Sequence, residues 1–265
     1  MKTNALRHLC FGAAIAALAL TAPVSSAQTL NDGLIFYAPF SSSLDDVAGG
    51  RVGQILSPPT LHPSGGVGNG GYVQLQNDVF ADEQVVWYED PTPATTDFSF
   101  QIWVRAGDAY SVWNLQKDVD FAFAANKDWG AGPNVGWVLA RQDGDDDGDK
   151  FQWNLNTVGG TRKDLDLRAA PSVVFDGDWH QILVTYQRDG QARFYRDGVA
   201  IAAVDISANT GSIRPTLGTW VTNNILALGQ DATLRYYHAT DPYNVSSYNG
   251  DLDEAAMWDR VLTPE

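Results

Sequence analysis

Two Asp-Gly dipeptides constrain the fold of this chain more than any other feature. Asp189-Gly190 and Asp197-Gly198 lie eight residues apart, and each interrupts a run of β-branched and aromatic residues. Asp and Gly tolerate the positive φ angles that tight hairpin turns require. Residues 179–204 are therefore predicted to form three antiparallel strands in a meander.

A second pattern supports the same fold class. Residues 98–105 read FSFQIWVR, an alternation that places the even-numbered apolar side chains on one face of a strand and Trp103 on the other. The acidic residues comprise 28 Asp and four Glu. Asp competes with the backbone for hydrogen bonds and favours turns over helices. The sequence predicts an all-β protein of strands and loops, with little helix.

The N-terminus has the pattern of an export signal. Lys2 and Arg7 precede an apolar run from Leu9 to Leu20, and Ser25-Ser26-Ala27 supplies small residues for a signal peptidase. We expect residues 1–27 to be a signal peptide and residues 28–265 to be one secreted, periplasmic or cell-surface domain. The last residues, LTPE, are typical of a helix that is just beginning. We therefore expect the domain to be truncated at its C-terminal end.

The charge of the chain disfavours two classes of partner. The formal net charge is −15, and removal of Lys2 and Arg7 with the signal makes it −17. A field of this sign repels nucleic acids and anionic membranes. After the signal, no run approaches the roughly 20 apolar residues of a membrane span. We expect neither nucleic-acid binding nor membrane insertion.

Three motifs of the second half carry a family resemblance. Residues 176–180 read DGDWH, residues 194–199 read FYRDGV, and residues 250–265 read GDLDEAAMWDRVLTPE. In order and spacing they resemble the laminin-G-like jelly roll of the concanavalin A-like lectin and glucanase superfamily. The resemblance implies a two-sheet antiparallel jelly-roll sandwich, often calcium-binding, that serves as a sugar- or protein-binding module.

The stretch from Asp120 to Asn156 carries the candidate binding residues. It holds three of the nine tryptophans and the polar quartet NKDW at residues 126–129. A sugar packs its C–H face on a flat ring, while its hydroxyls need planar polar donors and acceptors. The candidate ligand contacts are Asn126, Lys127, Asp128, Trp129, Asn134, Asn154 and Arg162.

The tryptophans of this stretch divide by position. Trp129 lies in a loop rich in Gly and Pro and is predicted to be an exposed platform. Trp137 and Trp153 occupy strand positions and are expected in the core. Lys127 and Asp128 have an alternative interpretation as a surface ion pair. We expect a neutral or amphoteric glycan or glycoconjugate to bind at one end or on the concave face of the sandwich.

Clustered aspartates give two candidate calcium sites. Asp143, Asp145, Asp147 and Asp149 match the opening of a calcium loop, with oxygen ligands at alternate positions. A merely solvated acidic turn is the alternative, because the chain has Asn154 where a complete loop has a bidentate Glu. The second candidate site pairs Asp46 with Asp253, where relatives of the family hold a structural calcium ion. An ordinary turn aspartate and a buried hydrogen-bonding aspartate explain this pair equally well.

The sequence has no recognisable catalytic signature. The Glu-x-Asp-x-x-Glu motif of the superfamily's glucanases does not occur. Polysaccharide lyases of the same fold have Gln-Ile-His or Gln-Val-His on a strand, whereas residues 180–182 read HQI. We expect a secreted, non-catalytic carbohydrate-binding module of a larger extracellular protein, with calcium as a candidate cofactor. One alternative is a laminin-G-like adhesion or protein-interaction domain. The other is a glycan-cleaving hydrolase or lyase, which needs a cleft with two close carboxylates or with a tyrosine and a histidine facing an arginine.

Overall fold

The computed structural model describes residues 29–76, 84–105, 120–129, 134–142, 150–167, 174, 176–217, 223–234 and 245–263. The expected signal peptide and the aspartates at 143, 145, 147 and 149 lie outside these residues. The described part contains one short 3-10 turn, Val67–Asn69, and sixteen strands. The strands are β1 Leu34–Ala38, β2 Gln54–Ile55, β3 Thr60–His62, β4 Tyr72–Leu75, β5 Val86–Glu89, β6 Phe98–Arg105, β7 Asp120–Ala125, β8 Gly136–Gln142, β9 Lys150–Asn156, β10 Lys163–Leu167, β11 His180–Tyr186, β12 Gln191–Arg196, β13 Val199–Asp205, β14 Ile225–Leu228, β15 Val245–Ser247 and β16 Gly250–Trp258.

The strands form two eight-stranded sheets. The first sheet has the order β13-β12-β11-β6-β16-β4-β3, with β1 also paired to β16. The second has the order β10-β9-β8-β7-β14-β5-β2, with β15 also paired to β7. All pairs are antiparallel except β15 with β7. This arrangement confirms the predicted two-sheet antiparallel sandwich.

The meander predicted from the Asp-Gly dipeptides is present as β11, β12 and β13. At the second turn, Asp197 has φ +51° and Gly198 has φ +76°. Two successive positive φ angles are typical of a type I′ turn, whose twist matches that of the two strands it joins. The local sequence therefore sets the register of this edge of the first sheet.

The hydrophobic core lies between the two sheets. The even-numbered residues of β6, from Phe98 to Val104, are fully buried in it, while Trp103 faces outward and is half-buried. Trp137 and Trp153 are also core residues, as predicted. The Trp137 ring packs 4.9 Å from Phe100, and the Trp153 ring lies 5.2 Å from Tyr186, measured between centroids. Aromatic side chains from both sheets thus interlock and hold the sandwich together.

Some short strands, among them β3 and β15, do not follow from the local sequence. β3 lies in a segment rich in Pro and Gly that predicts a loop, and it pairs only with β4. β15 has three residues and pairs in parallel with β7. Such short strands form because a neighbouring strand offers an unpaired edge, which the local sequence does not show.

Within the described residues, no helix is long and apolar enough to cross a membrane.

Candidate functional site

The outer face of the second sheet, which points away from the core, collects most of the predicted ligand residues. Along β8 and β9 every second residue enters the core, so Val138, Ala140, Gln152 and Asn154 point outward. Asn154 lies opposite Val138 on one side and opposite Asp164 of β10 on the other. Gln152 and Asn154 are at most 3% exposed. Polar side chains on this face are therefore covered, although they are outside the core.

Trp129 covers part of this face. Its indole packs with Ala122, Ala125, Val138 and Ala140, a small apolar cluster separate from the main core. The small residues of β7 and β8 leave space for a flat ring to lie against the sheet. The backbone N–H of Trp129 donates to Oδ2 of Asp231 at 2.7 Å, which fixes the loop in place.

The expectation that Trp129 is an exposed platform is wrong. Trp129 is only 8% exposed, because its indole lies against the alanine-rich surface of the sheet. Its Nε1–H donates to Oε1 of Gln152 at 2.9 Å, which compensates the indole for the loss of water. Trp129 therefore organises the outer face and is not a free sugar platform.

Lys127 is fully buried beside this cluster. Among the described residues, its Nζ makes one hydrogen bond, a long one of 3.5 Å to the carbonyl oxygen of Asn134. Burial, followed by the positive charge of Arg162, lowers the pKa of Lys127 to about 8. The surface ion pair considered for Lys127 and Asp128 is therefore wrong, since both residues are buried. A buried ammonium group with one long hydrogen bond has the capacity to donate to a ligand oxygen.

Two buried amide oxygens lie in the same region. Among the described residues, Oδ1 of Asn154 and Oδ1 of Asn134 have no hydrogen-bond partner. The amide nitrogens of both residues are engaged, that of Asn154 with Oε1 of Gln152 at 3.0 Å and that of Asn134 with the carbonyl oxygen of Asp128. The amides are thus held in fixed orientations with an acceptor left over. A buried acceptor without a partner is costly, on the order of 1–3 kcal/mol, unless a donor reaches it.

Arg162 and Asp164 form the exposed edge of the face. The Arg162 Nε donates to Oδ1 of Asp164 at 2.8 Å, and the two side chains are 33% and 40% exposed. Gln152 extends the same network outward by donating its Nε2–H to Oδ1 of Asp166 at 2.9 Å. The covered polar residues are therefore connected to solvent along β10.

Asn126 has a structural position. Its Oδ1 accepts the backbone N–H of Trp137 at 2.8 Å, and its Nδ2 donates to Oδ2 of the buried Asp90 at 3.0 Å. Burial raises the pKa of Asp90, although hydrogen bonds from Thr92 and Asn126 oppose this effect. Asn126 thus joins the β7–β8 connection to the loop after β5. The prediction that Asn126 is a ligand contact finds no support, because these bonds occupy its amide.

Gly136 leaves the space that the side chain of Lys127 occupies at this face. It has φ +125°, and a Cβ built there would lie 2.4 Å from Cβ of Lys127 and 2.7 Å from Oδ1 of Asn126. Only glycine tolerates both this backbone angle and this close approach. The sequence shows a glycine at the start of a strand, but only the fold shows that Lys127 lies next to it.

Gln152 and Asp231 belong to the site and were missed. Asp231 is buried, and burial raises its pKa to about 7 even though Thr233 and the Trp129 amide donate to it. It lies 102 residues from Trp129 in the chain. Period-two alternation in β9 would have placed Gln152 beside Asn154 on one face. No local pattern indicated Asp231.

Asp46 of the second candidate metal site is satisfied by the protein. Its Oδ1 accepts backbone N–H groups of Tyr37, Ala48 and Gly49 at 2.8–3.0 Å. Its Oδ2 pairs with Nη1 of Arg51 at 2.7 Å. These contacts cap the turn after β1, as expected of an ordinary turn aspartate.

Asp253, the other residue of this candidate metal site, lies on β16 and is a buried hydrogen-bonding acid. Its Oδ2 accepts the N–H of Val67 and its Oδ1 that of Glu254, both at 2.8 Å. Burial raises its pKa to about 7. Among the described residues, no group of three or more His, Cys, Asp or Glu side chains is arranged to hold a metal ion. Calcium binding stays a prediction, since the aspartates at 143–149 lie outside the described part.

Solved structures with the same fold include receptor-binding domains of botulinum neurotoxins. The binding domain of Paraclostridial Mosquitocidal Protein 1 aligns with a TM-score of 0.65 and 15% identity, over 89% of this chain and 51% of that one. The receptor-binding domain of botulinum neurotoxin D aligns with a TM-score of 0.62 and 13% identity, over 89% and 51%. The serotype D domain in complex with N-acetylneuraminic acid aligns with a TM-score of 0.61 and 13% identity, over 88% and 49%. The chain spans about half the length of these proteins, and at such identities the likeness shows the fold.

The sequence itself shows the family. A laminin-G family profile, described as concanavalin A-like lectin/glucanases superfamily, matches residues 67–265. The matched range includes β4 to β16, and therefore both sheets and the outer face described above. The chain belongs to the concanavalin A-like lectin/glucanases superfamily.

Proposed function

We propose that the chain is a secreted, non-catalytic carbohydrate-binding module that binds a neutral or amphoteric glycan at the β10 edge of the second sheet. The proposal depends on one observation above all. Lys127 and the Oδ1 atoms of Asn134 and Asn154 are buried polar groups whose hydrogen-bonding capacity is largely unused among the described residues. Native proteins rarely leave such groups together without a partner.

A sugar hydroxyl fits these groups chemically. It donates one hydrogen bond and accepts others, so a single hydroxyl can donate to an Asn Oδ1 and accept from Lys127. Arg162 and Asp164 add an exposed donor and an exposed acceptor at the edge. The ligand enters from this edge and its hydroxyls reach inward toward Asn154, which is opposite Asp164 in the sheet.

The charges of the region favour a ligand with little net charge. Lys127 and Arg162 are close enough for Arg162 to lower the pKa of Lys127, but Asp164, Asp128 and Asp231 oppose them. The chain as a whole carries a formal charge of −15. The fold relationship to receptor-binding domains, one of them solved with N-acetylneuraminic acid, supports glycan recognition as the general function.

A glycan array with the mature domain tests the proposal. We expect binding to a defined group of glycans, and at least a tenfold loss of affinity for them in Arg162→Ala, which removes an exposed side chain without touching the core. Arg193→Ala is the matched control, because Arg193 is an exposed arginine on the first sheet. Equal affinities of both variants and the wild type would show that the β10 edge is not the site.

A second candidate function is protein binding, and a surface near β2 favours it. Val47 and Val52 are 62% and 64% exposed, close in sequence to the exposed Ile55 and Leu56. An open pocket of about 420 Å³ lies beside them, lined by Gly49, Gly50, Arg51, Val52, Gln54 and Glu89. Clustered exposed apolar residues often mark interaction sites. If the domain binds no glycan, a charge substitution at Val52 should instead abolish capture of a protein partner.

A further inference from the structure

On the outer face of the first sheet, the side chains of β6 are more exposed than the covered polar residues of the second sheet. On β6, Gln101, Trp103 and Arg105 alternate with core residues and therefore point outward. All three are half-buried, whereas Gln152 and Asn154 at outward positions of the second sheet are at most 3% exposed. A ligand can thus reach the β6 side chains directly, whereas the neighbouring Asp251 and Asp253 of β16 are buried.

Arg105 is held rigidly on this face. Its Nε and Nη2 lie 2.8 and 2.7 Å from Oδ2 of Asp251. Its guanidinium carbon lies 4.7 Å from the ring centroid of Trp179 and 4.9 Å from that of Tyr72. Stacking on the two rings fixes the side chain, and the ion pair with Asp251 balances its charge. The Arg105 side chain is therefore held in place, and its charge is paired with that of Asp251.

Two indoles flank Arg105. Trp179 is half-buried, its Nε1–H donates to the carbonyl oxygen of Gly65 at 3.2 Å, and its ring meets that of Tyr72 edge-on at 5.7 Å. Trp103 is two residues from Arg105 on the same strand and thus on the same face. Few rotamers remain for Trp179, so a ligand that packs on its ring has little ordering cost.

Two amides lie beside Trp103. Gln181 is opposite Trp103 in the sheet, and its Nε2 donates to Oε1 of Gln101 at 2.7 Å. Gln101 in turn donates to the carbonyl oxygen of Glu254 at 3.4 Å. A primary amide can make four hydrogen bonds, so this pair is oriented and still has capacity for ligand hydroxyls.

We propose that the outer face of the first sheet binds a neutral glycan chain, with Trp103 and Trp179 as stacking platforms and Gln101 and Gln181 as hydroxyl partners. This surface is distinct from the β10 edge, and the inference does not depend on that site. The ligand is uncharged because Arg105 is already paired with Asp251 and the acidic protein repels polyanions. The combination of flat rings with fixed amides matches a sugar, which presents a C–H face and hydroxyls in turn.

Affinity electrophoresis of the mature domain in gels that contain a soluble β-glucan, galactomannan or xylan tests the inference. We expect at least one of these polysaccharides to retard the wild type, and Trp179→Ala and Trp103→Ala to weaken the interaction at least tenfold. Gln181→Arg keeps both indoles and places a larger side chain on the face, and it should weaken binding to the same degree. Melting temperatures of the variants show whether each one is folded.

Two variants of the other sheet serve as controls. Trp87 is half-buried at an outward position of β5, so Trp87→Ala is a matched truncation, and Arg162→Ala tests the β10 edge. Normal retardation of Trp87→Ala is expected, whereas Arg162→Ala separates the two proposed sites. Binding lost in Arg162→Ala alone would support the β10 site and overturn this inference, while binding lost in the first-sheet variants alone would support it without the β10 site.

Three further results would overturn the inference. They are no retardation of the wild type by any of the three polysaccharides, unchanged retardation of folded Trp179→Ala and Gln181→Arg, and dissociation of a dimer by Trp103→Ala without an effect on retardation. The last result would identify the face as a contact between protein chains.

Discussion

Nε1 of Trp129 donates a hydrogen bond to Oε1 of Gln152 at 2.9 Å, across 23 residues of chain, and thereby ties the β7–β8 loop to the outer face of the second sheet. The indole also fills the space above the alanines and Val138 of β7 and β8. Truncation of a buried Trp to Ala typically costs about 3–5 kcal/mol. We expect Trp129→Ala to lower the free energy of unfolding in urea by this amount, and Trp129→Phe, which keeps most of the packing, to lower it by about 1 kcal/mol. An unchanged stability of Trp129→Ala would mean that the loop does not pack as described.

Gly136→Ala should destabilise the domain and disturb the site. The new Cβ would meet Cβ of Lys127 at 2.4 Å, at a residue with φ +125°. Gly198→Ala is the matched control, because Gly198 also has a positive φ, +76°, but no atom within 4 Å of the added Cβ. Strain of the backbone alone costs more than about 1 kcal/mol, so both variants should lose stability in thermal melts. A larger loss for Gly136→Ala is expected, and equal losses would argue against the close contact with Lys127.

Lys127 should make stability increase with pH in the alkaline range. Its pKa in the folded protein is about 8, below the value of about 10.4 for an unfolded lysine. The unfolded state therefore binds more protons between these values, and the free energy of unfolding rises with pH there, by at most about 1.4 kcal/mol per pH unit. Lys127→Met removes this contribution. Urea titrations from pH 7.5 to 10.5 should show a difference in the free energy of unfolding between variant and wild type that narrows as pH rises. A constant difference would contradict the burial and the lowered pKa of Lys127.

His180 should contribute stability at low pH. Burial alone lowers its pKa, but hydrogen bonds with Asp197 at 2.8 Å and Asp176 at 3.0 Å outweigh burial and raise it. Because the folded pKa lies above the unfolded value of about 6.5, the stabilisation is complete below pH 6.5 and is lost as pH rises through the folded pKa. The stability difference between wild type and His180→Gln should shrink over this range. Replacement of both aspartates by Asn leaves burial, which lowers the pKa, so the difference should then no longer shrink as pH rises. A difference that grows with pH when both aspartates are present would refute the assignment.

Calcium should stabilise the mature domain. Clustered aspartates repel one another until a cation lies between them. At 100 times its dissociation constant, calcium adds about 2.7 kcal/mol to the stability of a folded state that alone binds it. Asp145→Ala with Asp147→Ala should abolish the rise in melting temperature if the acidic loop is the site, whereas Asp253→Asn should abolish it if β16 holds the ion. A melting curve that neither calcium nor a chelator moves would rule out both sites.

The sequence by itself determined the fold class and much of the first sheet. The Asp-Gly turns and the alternation of residues 98–105 are local patterns, because turn geometry and the period of a strand depend on neighbours in the chain. Trp137 and Trp153 were expected in the core because both lie in strand-like runs, and both are buried there.

Only the tertiary structure decided the contents of the candidate site. Whether Trp129 is exposed depends on the alanines of β7 and β8 beneath it, and its loop is anchored by Asp231, 102 residues away. The burial of Lys127 depends on the missing Cβ of Gly136, and its low pKa on burial and on the charge of Arg162. The sequence lists which polar groups are available, but desolvation and distance set their chemistry, and both are properties of chain segments that meet only after folding.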